Sequence, residues 1–91
     1  MNIQQRPAFK KAMKKLHKNQ KADLKEAIEK IIKDPAIGTA KKGDLKDVRV
    51  YKFKMAKQES LLAYMVDDVN KTIIFEAIGT HEKFYRDLKG R

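Results

Sequence analysis

The sequence predicts a small α+β domain, in which an N-terminal α-hairpin packs on an antiparallel β-sheet and a short helix ends the chain. Two observations carry this prediction. Apolar residues recur at helical spacing as far as Asp34-Pro35, and the spacing changes to alternation from Val48 onward. The 91 residues suit one core, because a second domain in a chain of this length would have no core of its own. We therefore expect residues 1–91 to form a single domain.

The first two predicted elements are amphipathic helices. Pro7 suits the first turn of a helix, where its missing N–H costs little, and the apolar stripe that follows places helix one roughly from Pro7 to Lys18. A second stripe, from Leu24 to Ile32, predicts an antiparallel partner helix after a break at Asn19 and Gln20. This helix ends at Asp34, because the residue before a proline is disfavoured in the helical region. Ile3, among Asn and Gln, predicts an additional edge strand.

Three strands and a terminal helix follow. Side chains alternate along residues 48–55, which places Lys52 and Lys54 on one face with Val48 and Val50. The other face carries Arg49, Tyr51, Phe53 and Met55. Residues 60–66 predict a second strand, residues 67–71 a turn, and residues 72–78 a third strand rich in β-branched side chains. Residues 81–89 predict a short helix with Phe84 and Leu88 on one side.

Positive charge is concentrated in the helical part of the chain. The sequence has 22 Lys and Arg against 12 Asp and Glu, a net charge of +10, which favours an anionic partner. Residues 1–33 carry ten basic and three acidic residues, whereas residues 60–91 carry five of each. The lysines on the outer side of helix one, among them Lys10, Lys14 and Lys18, therefore predict a general surface for a polyanion.

Several functional classes are excluded by what the sequence lacks. Without cysteine, the chain has neither a thiolate nucleophile nor a disulfide, which suits a reducing cytoplasm. The longest apolar run, Leu61–Val66, is far shorter than the roughly 20 residues that span a bilayer, and the N terminus lacks the apolar segment of a secretory signal. Asp67 and Asp68 have no third metal ligand at a useful spacing, and no nucleotide-binding glycine motif is present. We expect a cytoplasmic protein that uses no metal, cofactor or membrane.

Residues suited to metal-independent RNA cleavage are present. Such cleavage needs a base for the 2′-hydroxyl, cations for the phosphate and an acid for the departing 5′-oxygen. Lys52 and Lys54 share a strand face, and a loop carrying His81 would approach that face if the last strand joins the same sheet. The residues alone leave other roles open: a solvated strand face for the lysines, a surface or capping role for His81, and packing for Tyr85.

Short strings along the chain resemble the RelE/ParE superfamily of toxins from bacterial type II toxin–antitoxin modules. They are Pro7-Ala8-Phe9 with Met13-Lys14-Lys15-Leu16, residues 42–47, Val50-Tyr51-Lys52-Phe53-Lys54, and Gly79-Thr80-His81, the last of which is similar to the terminal motif of the YafQ-like RelE branch. The resemblance covers nearly the whole chain. It implies the RelE-like fold and a ribosome-dependent mRNA endonuclease that inhibits translation. It also implies a cognate antitoxin, bound in a hetero-oligomer.

The resemblance implies roles for individual residues. Lys52 and Lys54 match strand lysines that act on the transition-state charge or as a base, His81 matches the terminal histidine, and Tyr85 lies near the terminal aromatic. RelE has an arginine on the second core strand, where this chain has Leu61-Leu62, so the phosphate would need another cation, of which the candidates include Arg49 and Arg86. Two alternatives remain: a ParE-like inhibitor of DNA gyrase, since that branch shares the fold without the nuclease residues, and an inactive RNA-binding relic.

Overall fold

The sheet combines strands from both ends of the chain. The computed structural model describes residues 2–40 and 48–80. In chain order the elements are β1 (Asn2–Gln5), α1 (Pro7–Lys14), α2 (Lys18–Lys33), β2 (Thr39–Ala40), β3 (Arg49–Met55), β4 (Gln58–Asp67) and β5 (Thr72–Thr80). The strand order is β1-β5-β4-β3-β2. The predicted antiparallel meander of β3, β4 and β5 is confirmed, as is the predicted edge strand, β1, which pairs parallel with β5.

The helices differ from the prediction where they meet. Helix α1 begins at Pro7 as predicted but ends at Lys14 rather than Lys18. Asn19 and Gln20, predicted as a break, instead form the first turn of α2. The backbone N–H of His17 donates to Oε1 of Gln20 over 2.8 Å, and polar side chains are favoured there because the first N–H groups of a helix lack intrahelical partners. None of the helices within the described ranges is long and apolar enough to cross a membrane.

Both helices pack on one face of the sheet. Their buried side chains meet Leu62, Tyr64, Ile73 and Phe75 of β4 and β5 in the main core, to which the helices contribute Phe9, Leu24, Ala27 and Ile31. The rings of Phe9 and Phe75 stack with centroids 5.5 Å apart. Burial of each large aliphatic or phenylalanine side chain in this core stabilises the fold by about 1.5–3 kcal/mol. A second cluster, on the opposite face, contains Val48, Val50, Leu61 and Ala63. The predicted alternation along β3 is thereby confirmed.

A β-bulge in β5 sets the register of its last residues. Tyr64 pairs with Phe75 and Ala63 with Ala77, so Glu76 is the extra residue. Glu76 is buried, and one of its carboxylate oxygens lies 3.4 Å from Nε of Arg6. The extra residue shifts the alternation, so that the end of β5 meets the beginning of β4 in a fixed register.

Residues 81–91 lie outside the described part of the chain, as does the loop 41–47. The predicted terminal helix, 81–89, therefore stays a prediction.

Candidate functional site

Lys52 and Lys54 lie exposed on the sheet face opposite the helices. They alternate along β3 with Tyr51 and Phe53, whose rings pack against the main core and stack with centroids 5.9 Å apart. Because neighbouring side chains of a strand point to opposite faces, anchoring the aromatic pair directs both lysines to the other face, and Lys54 also lines a cleft beside α2. The Lys52 side chain is 63% exposed and can reach an anion in solvent. We call this part of the sheet, with Lys52 and Lys54, the lysine face.

The end of β5 lies in register with this face. Lys52 pairs with Leu61 of β4, and Leu61 pairs with Gly79 of β5. Neighbouring strands are about 4.8 Å apart, so the Gly79 backbone lies roughly 10 Å from that of Lys52. Thr80, which immediately precedes His81 in the sequence, pairs with Ser60 at the same end of the sheet. The condition that the last strand and the lysine strand share a sheet is therefore met.

Three of the predicted site residues cannot be placed against this geometry. His81, Tyr85 and Arg86 lie outside the described residues. Their roles stay predictions.

A carboxylate that the sequence analysis missed accompanies the lysines. Glu59 is the cross-strand partner of Lys54, and its Oε1 lies 3.7 Å from Nζ of Lys52. Both side chains of the ion pair are more than half exposed, so the pair contributes at most about 1 kcal/mol to folding. The hairpin register could have revealed Glu59, because a two-residue turn at Ala56-Lys57 places Lys54 opposite Glu59.

The turn beside this ion pair is held by helix α2. Ala56 and Lys57 have φ values of 52° and 70°, a left-handed geometry that suits the twist of a tight hairpin but strains residues other than glycine. The backbone N–H of Ala56 donates to Oδ2 of Asp23 over 2.7 Å. Asp23 thus anchors the turn that sets Lys54 opposite Glu59.

Arg49, a predicted phosphate ligand, lies on the other side of the sheet. Its Nη1 donates to the carbonyl oxygen of Gly38 over 2.9 Å and is 3.5 Å from that of Ala36. The guanidinium therefore binds the loop that follows α2. The structure does not bring Arg49 together with Lys52 and Lys54.

The same loop is fastened by the buried Tyr64. Its hydroxyl accepts a hydrogen bond from the Gly38 N–H over 2.9 Å and donates one to the Pro35 carbonyl oxygen over 2.7 Å. A Cβ atom at Gly38 would lie 2.7 Å from the hydroxyl oxygen, so only glycine fits at this approach. Burial raises the pKa of Tyr64 above its ordinary value of 10.0, outweighing the hydrogen bond from Gly38 and the nearby charge of Arg49, which lower it.

The predicted polyanion surface on the helices is separate from the lysine face. Lys10 and Lys14 are exposed on α1, and Lys18 is exposed at the start of α2. Because the helices cover one face of the sheet while Lys52 and Lys54 lie on the other, the helix lysines and the strand lysines point to opposite sides of the molecule. The structure therefore does not gather all the predicted RNA contacts into one surface.

A groove runs between the two helices. Its floor consists of Met13, Leu24 and Ile28, and its volume is about 290 Å³. The charged residues that line it are all lysines: Lys14, Lys21 and Lys25. We call it the helical groove. Within residues 2–40 and 48–80, no group of three His, Cys, Asp or Glu residues is arranged to hold a metal ion.

Comparisons with known proteins agree with this architecture. A model of the family described as ParE-like toxin of type II bacterial toxin–antitoxin system matches residues 3–89. No match was found among curated proteins. The chain is similar to one in the intact E. coli RelBE toxin–antitoxin complex, with 22% identity over 87% of this chain and 94% of that chain and a TM-score of 0.70.

Two further solved structures show the same likeness. The isolated E. coli RelE toxin is 21% identical over 97% of this chain and 95% of its own, with a TM-score of 0.69. A chain of the Mycobacterium tuberculosis RelBE2 toxin–antitoxin complex is 16% identical over 88% of this chain and 96% of its own, with a TM-score of 0.75. At these identities the likeness shows a shared fold.

Proposed function

The chain belongs to the ParE-like toxins of type II bacterial toxin–antitoxin systems, and from that premise we propose that it arrests translation by cutting messenger RNA in the ribosome. The observation that carries the proposal is the lysine face, in register with the end of β5. Two ammonium groups there would stabilise the negative charge that develops on a phosphate when the 2′-hydroxyl attacks in line. This face is exposed, so the proposal assigns the positioning of the messenger to the ribosome, in the cytoplasm.

The residues that follow β5 complete the proposed site. His81 would protonate the departing 5′-oxygen, Tyr85 would stack on a base, and Arg86 would contact a phosphate. Lys10, Lys14 and Lys18, on the far side of the molecule, would instead draw the protein to ribosomal RNA in general.

The proposal is tested by mapping RNA ends after brief induction in bacteria that lack the antitoxin. We expect the wild type to produce new 5′ ends on translated messages, in reading frame. We expect these ends to disappear in His81→Ala and in Lys52→Ala with Lys54→Ala. Lys33→Ala with Lys71→Gly removes the same charge away from the lysine face and should still cut. New ends in the folded lysine-face variant would contradict the proposal.

Inhibition of DNA gyrase is a second candidate, and one observation favours it: the matching family model is that of ParE-like toxins. In this case the induced wild type would arrest growth without new RNA ends, and the purified protein would block supercoiling by gyrase. Failure of both assays, with binding to RNA retained, would leave the inactive RNA-binding relic.

We also propose that the cognate antitoxin docks in the helical groove. RelE and RelBE2 toxin structures have been solved as complexes with antitoxin, and a toxin of this family is expected to have such a partner. An amphipathic helix would place its apolar side chains on Met13 and Ile28 and its acidic edge beside the lysine rim.

This docking proposal has a direct test in the affinity of the complex. Lys21→Glu with Lys25→Glu should weaken binding of the antitoxin, the product of the adjacent reading frame, by at least about tenfold, because each like-charge contact at a rim opposes association. Lys33→Glu with Lys71→Glu makes the same change in net charge outside the groove. Equal weakening by both variants would show that net charge rather than the groove controls binding.

A further inference from the structure

We infer that Glu59 is the general base of the lysine face and takes the proton from the attacking 2′-hydroxyl; this rests on the proposed nuclease function. Two contacts place it there. Its Oε1 lies 3.7 Å from Nζ of Lys52, and it pairs across the strands with Lys54. The carboxylate therefore lies beside the two cations that would hold the phosphate, and a 2′-hydroxyl next to that phosphate would come within reach of it directly or through one water.

Electrostatics explains why a carboxylate at this point is informative. RNA is negatively charged, so lysines raise the affinity of a surface for RNA and a carboxylate lowers it. A surface that only binds phosphate would therefore bind more tightly without Glu59 beside its two lysines. Glu59 lowers the formal charge of the group from +2 to +1. The resulting loss of affinity for RNA has an explanation if this carboxylate takes part in the reaction.

Lys52 is poorly suited to the role of base. The ammonium group of a lysine has only hydrogen-bond donors, whereas a carboxylate has only acceptors. In this ion pair, with Lys52 63% exposed, the acceptor atoms are the oxygens of Glu59. The geometry thus divides the roles that the resemblance leaves open: Glu59 takes the proton, and Lys52 and Lys54 stabilise the phosphate charge.

The position of Glu59 is fixed by the fold. It lies one residue beyond Gln58, at the start of β4, where the turn at Ala56-Lys57 reverses the chain. Asp23 accepts the hydrogen bond of Ala56 and ties this turn to α2. Within the described residues, the charged neighbours that contacts or pairing assign to Glu59 are Lys52 and Lys54 on β3.

The step is balanced without any added reagent. The O2′–H bond breaks and its proton passes to the carboxylate of Glu59, while the O2′ electron pair forms a bond to phosphorus. The bond from phosphorus to the 5′-oxygen breaks, and that oxygen leaves with the electron pair and takes a proton from His81. The products are a 2′,3′-cyclic phosphate and a 5′-hydroxyl, and water returns the two residues to their starting states.

The test measures single-turnover cleavage of a message on purified ribosomes, together with affinity for those ribosomes. Glu59→Gln should lower the rate of cleavage by about 100-fold or more, the usual contribution of a positioned base, while its affinity stays equal or rises. Glu29→Gln, on the exposed side of α2, makes the same change in charge and should cut at the wild-type rate. Equal thermal stability of the variants would exclude unfolding as the cause.

Two further readouts separate a base from a residue that only positions Lys52. Added formate should restore part of the activity of Glu59→Ala, and the fall in rate at acid pH should be lost in Glu59→Gln. Cleavage by Glu59→Gln at or above the wild-type rate would overturn the inference and leave the nuclease function standing. A wild type that does not cut at all would overturn both.

Discussion

Replacement of Tyr64 by phenylalanine tests how the loop after α2 is held. The change removes one oxygen atom that accepts a hydrogen bond from the Gly38 N–H over 2.9 Å and donates one to the Pro35 carbonyl over 2.7 Å. Gly38 is buried, so its N–H would lose its partner at a cost of about 2 kcal/mol. Pro35 is partly exposed and water can reach it, which limits the second loss to about 1 kcal/mol.

The sum of about 3 kcal/mol is large beside the roughly 5–15 kcal/mol that stabilises a domain. In urea we expect a lower midpoint with an unchanged slope, and in a thermal scan a melting temperature lower by about 12–24 °C. Tyr51→Phe is the matched control. Its hydroxyl makes no hydrogen bond within the described residues, and we expect a change within about 0.5 kcal/mol. A Tyr64→Phe variant as stable as this control would refute the reasoning.

The pH dependence of the same variant gives an independent check. Because burial raises the pKa of Tyr64 above 10.0, the unfolded chain releases this proton first as the pH rises. Tyr64 therefore contributes its full stability below pH 10.0 and loses it progressively as the pH rises above that value, toward the folded pKa. The difference in urea midpoint between wild type and Tyr64→Phe should shrink over that range. A constant difference would contradict the assigned burial.

Three other changes have defined outcomes. Gly38→Ala should lower the free energy of unfolding in urea by about 1–3 kcal/mol, because its Cβ would lie 2.7 Å from the Tyr64 hydroxyl. Ala56→Asn with Lys57→Gly should raise it by about 1–2 kcal/mol, because both positions have positive φ and the new residues accept that geometry. The hydrogen bonds that Asn70 donates to Asp67 lower the pKa of this carboxyl below 3.8, so Asp67 stabilises the fold above pH 3.8 and loses this effect as the pH falls through the lowered pKa. In acid titrations of unfolding, the difference in stability between wild type and Asp67→Ala should therefore vanish below the lowered pKa.

The fold was predictable where one rule governed a segment. Alternation along β3 assigned Tyr51 and Lys52 to opposite faces, Pro7 marked the start of α1, and Asp34-Pro35 marked the end of α2. The resemblance to RelE/ParE toxins is confirmed by the family match. The predicted end of α1 was wrong because an apolar stripe alone does not reveal a cap. His17 and Gln20 form one through a hydrogen bond that helical periodicity does not register.

The candidate site was predicted in part. The shared face of Lys52 and Lys54 followed from strand period alone. The place of Glu59 beside them required the pairing of two strands, which follows from the turn rather than from either strand. Arg49 was a candidate phosphate ligand because the resemblance left a strand arginine to be replaced. Its hydrogen bonds to the loop carbonyls depend on a contact with Gly38, eleven residues away in the sequence, and no local pattern indicates such a contact.

The lysines that would attract a polyanion in general lie on a different face from the lysines proposed to act on the phosphate. Lys10, Lys14 and Lys18 lie on the helix side of the sheet, so they would not contact a phosphate held by Lys52 on the other face. A field from many lysines still raises the rate of encounter with a polyanion, whichever face meets it first. An acidic antitoxin helix in the helical groove would neutralise that field without contact with the lysine face. Inhibition would then act first on recruitment to the ribosome, and blockage of Lys52 would need a second segment of the antitoxin on the opposite side of the sheet.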